Sequence, residues 1–516
     1  MGTGDIDGKH EPPPGLFSGE SSLCSPQTKL LHSAGSDKVH LSRSGPGMNR
    51  ISPARISRLI GNWRAPEGKV SQQLSAAIAR LITARELPVG GLLPSERALA
   101  AALAVSRGTI VAAYASLRDA GVLDSRHGSG HRIIASATAP GSAHTRLAGE
   151  IPAHPQDIDM TSGALPPSPI LTRMLASLRG TELASVAAGL GYDASGLPAL
   201  RWAVARYYTD LGLATHPDNI LITSGAQQAV WLLANAMVDA SDAVIVEDPV
   251  YRGSLEAFRR RNARIVPVAV TERGLDMPQL EKALKNRPKL LYLFPEAHNP
   301  TGRSLDDESR RDLAALLERH PTFLVEDGAQ NELSTLAGAT PRLFASEVDP
   351  NHVATIGTLS KLFWGGIRIG WIRAAPPVVK RLASFKAVND LGCSMFDQHL
   401  AIGLLENIPE ARAYRHQEIA SHLKIAEDLI AERAAGRWRW SRPSAGTAMW
   451  IRMPGIDAVA LCQEAQRHRL FLSAGPGYSA HENFGDVLRL PFVRPPEIMR
   501  FAIETICDLA GTARAA

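Results

Sequence analysis

Residues 358–370 read Thr358-Leu359-Ser360-Lys361-Leu362-Phe363-Trp364-Gly365-Gly366-Ile367-Arg368-Ile369-Gly370. One lysine stands beside small hydroxyl side chains, and an arginine follows it seven positions later among glycines and apolar residues. A lysine in an apolar pocket loses its ammonium form and becomes a nucleophilic amine, the state that Schiff-base chemistry needs. A phosphate held next to it needs hydroxyls, backbone N–H groups and a planar guanidinium. This stretch holds all of them. Alone, a Ser-Lys near glycines also describes a solvated surface lysine, so its meaning depends on the chain around it.

Short apolar runs lie on both sides: Leu221-Ile222-Thr223, Ala243 to Val246, Arg264 to Val268, Leu290 to Leu293, Phe323-Leu324-Val325 and Val353 to Ile356. They alternate with helical patterns from about residue 159, which predicts an α/β domain with a largely parallel sheet. In such sheets ligands bind beyond the carboxyl ends of the strands. Polar clusters fall there. Ser224-Gly225-Ala226-Gln227-Gln228 follows the first run and opens a helix, whose N-terminal amides favour a phosphate. Tyr251 closes Glu247-Asp248-Pro249-Val250-Tyr251 and offers a face to a planar ring. Asn299, in His298-Asn299-Pro300-Thr301-Gly302, offers a donor to a ring hydroxyl. Asp327 ends the run Glu326-Asp327, where a carboxylate can pair with a protonated pyridine nitrogen and make the ring an electron sink. Singly, these are a strand-to-helix turn, a packing tyrosine, a loop and a solvated acid.

The order of these clusters closely resembles fold-type I enzymes dependent on pyridoxal 5′-phosphate (PLP), the aspartate aminotransferase superfamily, over roughly residues 160–512. That resemblance makes Lys361 the Schiff-base lysine and catalytic residue. It assigns Asp327 to the pyridine nitrogen, Asn299 to the ring hydroxyl and Tyr251 to the ring face. Gly225, Ala226, Thr358, Ser360 and Arg368 would hold the phosphate. Tyr192 would reach the neighbouring subunit's cofactor, which implies a homodimer, and Arg489 would clamp an effector's α-carboxylate. A smaller C-terminal α/β subdomain is implied as well. One position departs from the pattern. Related regulators carry a tyrosine two residues after the aspartate to meet the ring hydroxyl, and here Ala329 stands there. Gln330 or a water is left to substitute, which puts proton transfer in doubt more than cofactor binding.

Upstream, Leu74, Ala77, Ile78, Leu81 and Ile82 form a helical stripe. Ser95 reads as the N-cap of a second helix and Ser106 of a third that runs from Arg107 to near Gly121. Two strands around His127-Gly128-Ser129-Gly130 complete the order helix, helix, turn, helix, hairpin. This predicts a winged helix-turn-helix whose third helix enters the major groove. Ser106, Arg107 and Thr109 would meet bases or phosphates, and Arg97, Arg126, His127 and Arg132 the backbone. A small helical oligomerisation module is the alternative. Residues 70–135 closely resemble the GntR-type DNA-binding domain. Followed by an aminotransferase-like domain, this is the layout of the MocR subfamily of bacterial transcription regulators.

The expected division is therefore a disordered segment at 1–47, a winged-helix domain at 48–135 with its core at 70–135, a linker at 136–158 and a PLP-binding domain at 159–512. The Gly-, Ser- and Pro-rich first 47 residues and Met48 raise the expectation that translation begins at Met48. The net charge of +5 and pI of 9.0 permit nucleic-acid binding without requiring it. Cys24, Cys393, Cys462 and Cys507 form no metal-ligand spacing, and no apolar run is long enough for a bilayer, so a cytoplasmic protein without a metal site is expected. The resemblance implies a regulator that binds duplex DNA and senses PLP, or a PLP–amino compound adduct, with the PLP domain as sensor and residual transaminase activity left open. In that family a crossed dimer sets each winged helix against its partner's large domain. The alternative is an active aminotransferase with an accessory N-terminal module.

Overall fold

The computed structural model describes residues 50–133, apart from 62, 65–67, 84–85, 88–90, 121 and 127–129, and residues 156–515, apart from 272–273, 337 and 435. The N-terminal segment, Met48, most of the linker and His127 lie outside the described residues, and so does the side chain of Arg126.

The N-terminal domain contains α1 (Pro53–Ile60), α2 (Val70–Thr83), β1 (Leu92–Leu93), α3 (Glu96–Ala102), α4 (Arg107–Asp119), β2 (Leu123–Arg126) and β3 (Gly130–Ile133). Ser52, Ser95 and Ser106 each cap a helix by accepting from the backbone N–H three residues on. The stripe from Leu74 to Ile82 is buried against Leu99, Leu103, Ile110 and Tyr114. The wing has three strands in the order β1-β3-β2, because Leu92 and Leu93 pair with β3 before α3 begins. The sequence pattern indicates only two strands there, since a two-residue strand leaves no periodicity.

The large domain starts at β4 (Ile158–Asp159). Its main sheet contains β5 (Ile220–Thr223), β6 (Ala243–Asp248), β7 (Arg264–Thr271), β8 (Gly274–Leu275), β9 (Leu290–Leu293), β10 (Phe323–Asp327), β11 (Val353–Thr358) and β12 (Gly370–Ala374). The spatial order is β5-β12-β11-β10-β9-β6-β7-β8. The pairs from β11 to β7 are parallel, whereas β12 is antiparallel to both β5 and β11. Its residues give no separate strand signal because they follow the Lys361 loop without a break. Helices cover both faces, so these strands are nearly continuous apolar runs. Ile245, Leu291 and Leu324 pack on one side, and Val244, Val246 and Val325 on the other.

A smaller C-terminal subdomain follows: the long helix Ile408–Ala434, β13 (Ala448–Arg452), helix Ala458–Ala465, β14 (Leu470–Phe471), β15 (Ser473–Ala474), β16 (Val487–Pro491) and helix Pro496–Ala515, with its own apolar core. The winged helix packs on this subdomain of its own chain through α1. Arg58 donates to Pro476 O and pairs with Glu482 at 2.6 Å, and Gln463 donates to Ser57 O. Among the described residues, no single helix is long and apolar enough to cross a membrane.

Candidate cofactor and DNA sites

The carboxyl ends of β5, β6, β9, β10 and β11 open onto one site. After β5, Gly225 adopts φ +80°, a left-handed backbone that suits glycine, and turns the chain into helix Ala226–Met237. A Cβ on Gly225 would stand 2.8 Å from Arg368 Nη2. Arg368 itself is left-handed (φ +54°) and donates to Ser224 O at 2.6 Å. The glycine amide, the helix N-terminus and a guanidinium thus meet at one point, as an anion cradle requires. Thr358 and Ser360 hydrogen-bond each other at 3.0 Å at the end of β11.

Lys361 follows them. Its Nζ donates to Gly163 O at 3.2 Å. Burial, with Arg489 and Arg494 adding repulsion, lowers its pKa from 10.5 to about 8. Gly163 is required there, because a Cβ would collide with Thr447 Oγ1 and stand 3.0 Å from Arg489 Nη2. Arg489, on β16, is 6% exposed; its Nη1 donates to Thr161 O while its Nε has no hydrogen-bond partner. Arg494 holds the Gly163 loop by donating to Ser162 O and Ala164 O. Sequence reading missed Gly163, Thr447 and Arg494. For Gly163 the one signal was the small-residue run Ser162-Gly163-Ala164.

Asp327 is the last residue of β10 and is 3% exposed. Burial raises its pKa from 3.8 to about 6, despite hydrogen bonds from Tyr292 Oη and Ala329 N. Tyr292, fully buried on the neighbouring strand β9, was not foreseen, because in sequence it reads as one apolar residue of a core strand. Tyr251 donates to Gln227 Oε1 at 2.9 Å. Burial, together with Asp327, pushes its phenol up to about 12, while Arg489 and Arg368 oppose that. Asn299 has a buried Oδ1 without a partner. Beneath it, buried His298 is held neutral by desolvation, its pKa lowered to about 3, and Nδ1 meets Thr301 Oγ1 at 2.7 Å. Ala329 lines a crevice with Gly328, Asn331, Thr358 and Lys361. Tyr192 stands apart from this cluster, 75% exposed, near Leu190 at 95%.

On the winged helix, Arg97, Ser106, Arg107 and Arg132 are exposed and Thr109 is half-buried. Glu96 accepts from His131 Nε2 on the wing at 3.0 Å and forms an ion pair with Arg107 Nη2 on α4 at 3.7 Å. The start of α4 and the wing are therefore tied to one carboxylate.

Residues 157–504 match the family model for aminotransferase class I and II. The chain belongs to that family. Residues 70–133 match the model for bacterial regulatory proteins of the gntR family. Among curated relatives, the HTH-type transcriptional regulator YjiR of Escherichia coli is 27% identical over 84% of this chain and 97% of its own length. YdfD of Bacillus subtilis, named likewise, is 27% identical over 79% and 89%. The α-aminoadipate aminotransferase LysN of Thermus thermophilus, solved with N-(5′-phosphopyridoxyl)-L-leucine, superposes with a TM-score of 0.65 at 26% identity, over 72% of this chain and 98% of that one. The combination of domains and relatives is that of the MocR subfamily. Its cofactor is PLP, and the residues present fit that group. Gly225 is left-handed beside the Arg368 guanidinium, Asn299 Oδ1 and Arg489 Nε are buried without protein partners, the Lys361 pKa is lowered by burial, and Asp327 is a buried carboxyl.

Proposed function

We propose that the chain is a transcription regulator that binds duplex DNA through its winged helix and reads PLP, or a PLP–amino compound adduct, through the aminotransferase-like domain. The observation that carries this reading is a DNA-binding head with the polar start of α4 exposed, seated on the same chain as a cofactor site that lacks the hydroxyl at position 329.

In this reading Lys361 holds the cofactor covalently, Asp327 keeps its ring nitrogen charged, and Tyr251 covers the ring. Asn299 meets the ring hydroxyl, and Gly225, Ala226, Thr358, Ser360 and Arg368 take the phosphate. Bound there, PLP supplies an electrophilic carbonyl carbon and an electron-withdrawing ring. Arg489 orients an incoming carboxylate toward Lys361, and the buried walls exclude water. A ligand changes DNA binding only by its difference in affinity between the two states of the protein. Tyr192 and Leu190, exposed on one loop, would be covered in a homodimer, where Tyr192 would reach the partner's cofactor. The protein would act in the cytoplasm, where the DNA is.

The test uses full-length protein and a duplex carrying the intergenic sequence beside its own gene. Binding should weaken as salt rises and change when PLP is added. Fast half-reactions with an amino acid, together with no affinity for that duplex, would favour the enzyme instead.

A further inference from the structure

The segment from Gly475 to Asn483 touches both ends of the molecule's proposed work. On the site side, the Tyr478 ring lies between two guanidiniums, 5.9 Å from Arg489 and 5.8 Å from Arg252. Its carbonyl accepts from Val250 N at 2.8 Å, one residue before Tyr251. Asp248, at the end of β6, accepts from Ala480 N and from Asn483 Nδ2. A shift of Arg489 is therefore felt in this segment through direct contact, and a shift of Tyr251 through its neighbour Val250.

On the head side, the same segment holds α1. Pro476 O and Glu482 Oε1 both accept from Arg58, whose side chain is 5% exposed, and Glu482 Oε2 accepts from Ser52, the cap of α1. An arginine this deeply buried has no alternative solvent to turn to, so the pairing is geometrically demanding. Glu482 and Phe484 adopt φ +62° and +67°, left-handed values that bulky L-residues rarely take. From α1, Ser57 Oγ donates to Ala102 O at the end of α3. Arg467 of the C-terminal subdomain donates to Ala104 O, in the turn that leads into α4. The subdomain thus grips the head at its first helix and at the turn before the recognition helix.

We propose that residues 475–483 are the coupling element of this regulator, and that the Arg58–Glu482 pair transmits ligand occupancy at Arg489 and Tyr251 to the seating of the winged helix. This rests on the sensor reading above and names its route. A linked system is reciprocal: the factor by which PLP changes DNA affinity must equal the factor by which DNA changes PLP affinity.

The experiment measures that factor in full-length protein, by anisotropy with the intergenic duplex and by absorbance titration with PLP. Wild type is expected to show at least about a fivefold factor. Glu482→Gln, which keeps the side-chain shape, and Arg58→Met, which keeps an unbranched apolar stem, each remove the charge pair and are expected to bring it to within about twofold of one. Their PLP affinity without DNA should stay within about twofold of wild type. The proposal is overturned if both folded variants keep the full factor, or if they lose PLP binding in the absence of DNA, which would mark the pair as structural. A wild-type factor of one, with DNA binding intact, would instead sink the sensor reading itself and this route with it.

Discussion

Lys361 allows a quantitative test of the site. Its pKa is lowered from 10.5 to about 8, by burial first and then by Arg489 and Arg494. At pH 7.5 that leaves about a quarter of the amine neutral, against about one part in a thousand at the ordinary value, a gain of about 240-fold in reactive form. The assay is borohydride trapping of PLP on apo-protein, read as labelled Lys361 peptide by mass spectrometry between pH 6 and 10. N-α-acetyl-lysine run in parallel removes the titration of the reagent. The trapping rate should rise with pH and level off near 8, and the ratio to free lysine should reach a hundredfold or more near neutrality. Arg489→Gln removes a positive neighbour and should move the bend to higher pH. The linkage has a definite sign. The folded pKa lies below the unfolded one, so stability of the apo-protein rises with pH between about 8 and 10.5, where only the unfolded chain keeps the proton. A bend near 10, or a trapping ratio close to one, would refute the burial argument. Label on another lysine would refute the assignment.

Four further outcomes follow from the geometry. Asp327→Asn should weaken PLP binding yet stabilise the apo-protein by up to about 3 kcal/mol above pH 6, since the carboxyl pKa moves from 3.8 to about 6 at ~1.4 kcal/mol per unit; wild-type stability should fall from about pH 4 to 6, and apo melting curves against pH check both. Tyr292→Phe removes the hydroxyl donor to Asp327 and should lower PLP affinity about tenfold, from ~1–2 kcal/mol for one lost buried hydrogen bond, measured by absorbance titration. Gly225→Ala forces a Cβ to 2.8 Å from Arg368 at a left-handed position and should raise the PLP dissociation constant at least about fivefold, given ~1–3 kcal/mol of strain, with circular dichroism unchanged. Arg107→Ala should weaken DNA binding and reduce the salt slope by about one, with the PLP titration unchanged.

Features set by local chemistry were legible in the sequence. Ser95 and Ser106 announced their helices because a capping hydroxyl acts within three residues. The apolar runs announced their strands because a sheet covered on both faces has no polar side to interrupt them. Lys361, Asp327 and Asn299 stood at strand ends, where such folds place their ligands. What escaped reading depends on contacts between distant segments. Tyr292 looks like core until β9 and β10 pair and bring its hydroxyl to Asp327. Gly163 looks like a loop until Thr447 and Arg489 crowd it. β12 carries no turn signal of its own and is fixed by its neighbours on both sides. The seating of the head rests on Arg58 and Glu482, 424 residues apart.

Ala329 separates two demands that an aminotransferase makes of one cavity. Holding the cofactor requires a nucleophilic amine, a partner for the ring nitrogen and a cradle for the phosphate. On the proposed assignment, Lys361, Asp327 with Tyr292, and Gly225 with Arg368 answer these. Turnover adds another need, since the amine of Lys361 would have to take up and return a proton at the reacting carbon while the ring hydroxyl is held at a fixed acidity. A tyrosine at 329 would share that control. An alanine there cannot, and the buried Asn299 amide has no titratable proton to offer. On that assignment an alanine at 329 should therefore cost rate far more than affinity, the direction expected of a domain that needs only to register whether its ligand is present. On the proposed sensor reading, the contacts from Arg489 through Tyr478 to Glu482 and Arg58 would give such a domain a mechanical outlet that a free-standing enzyme has no use for.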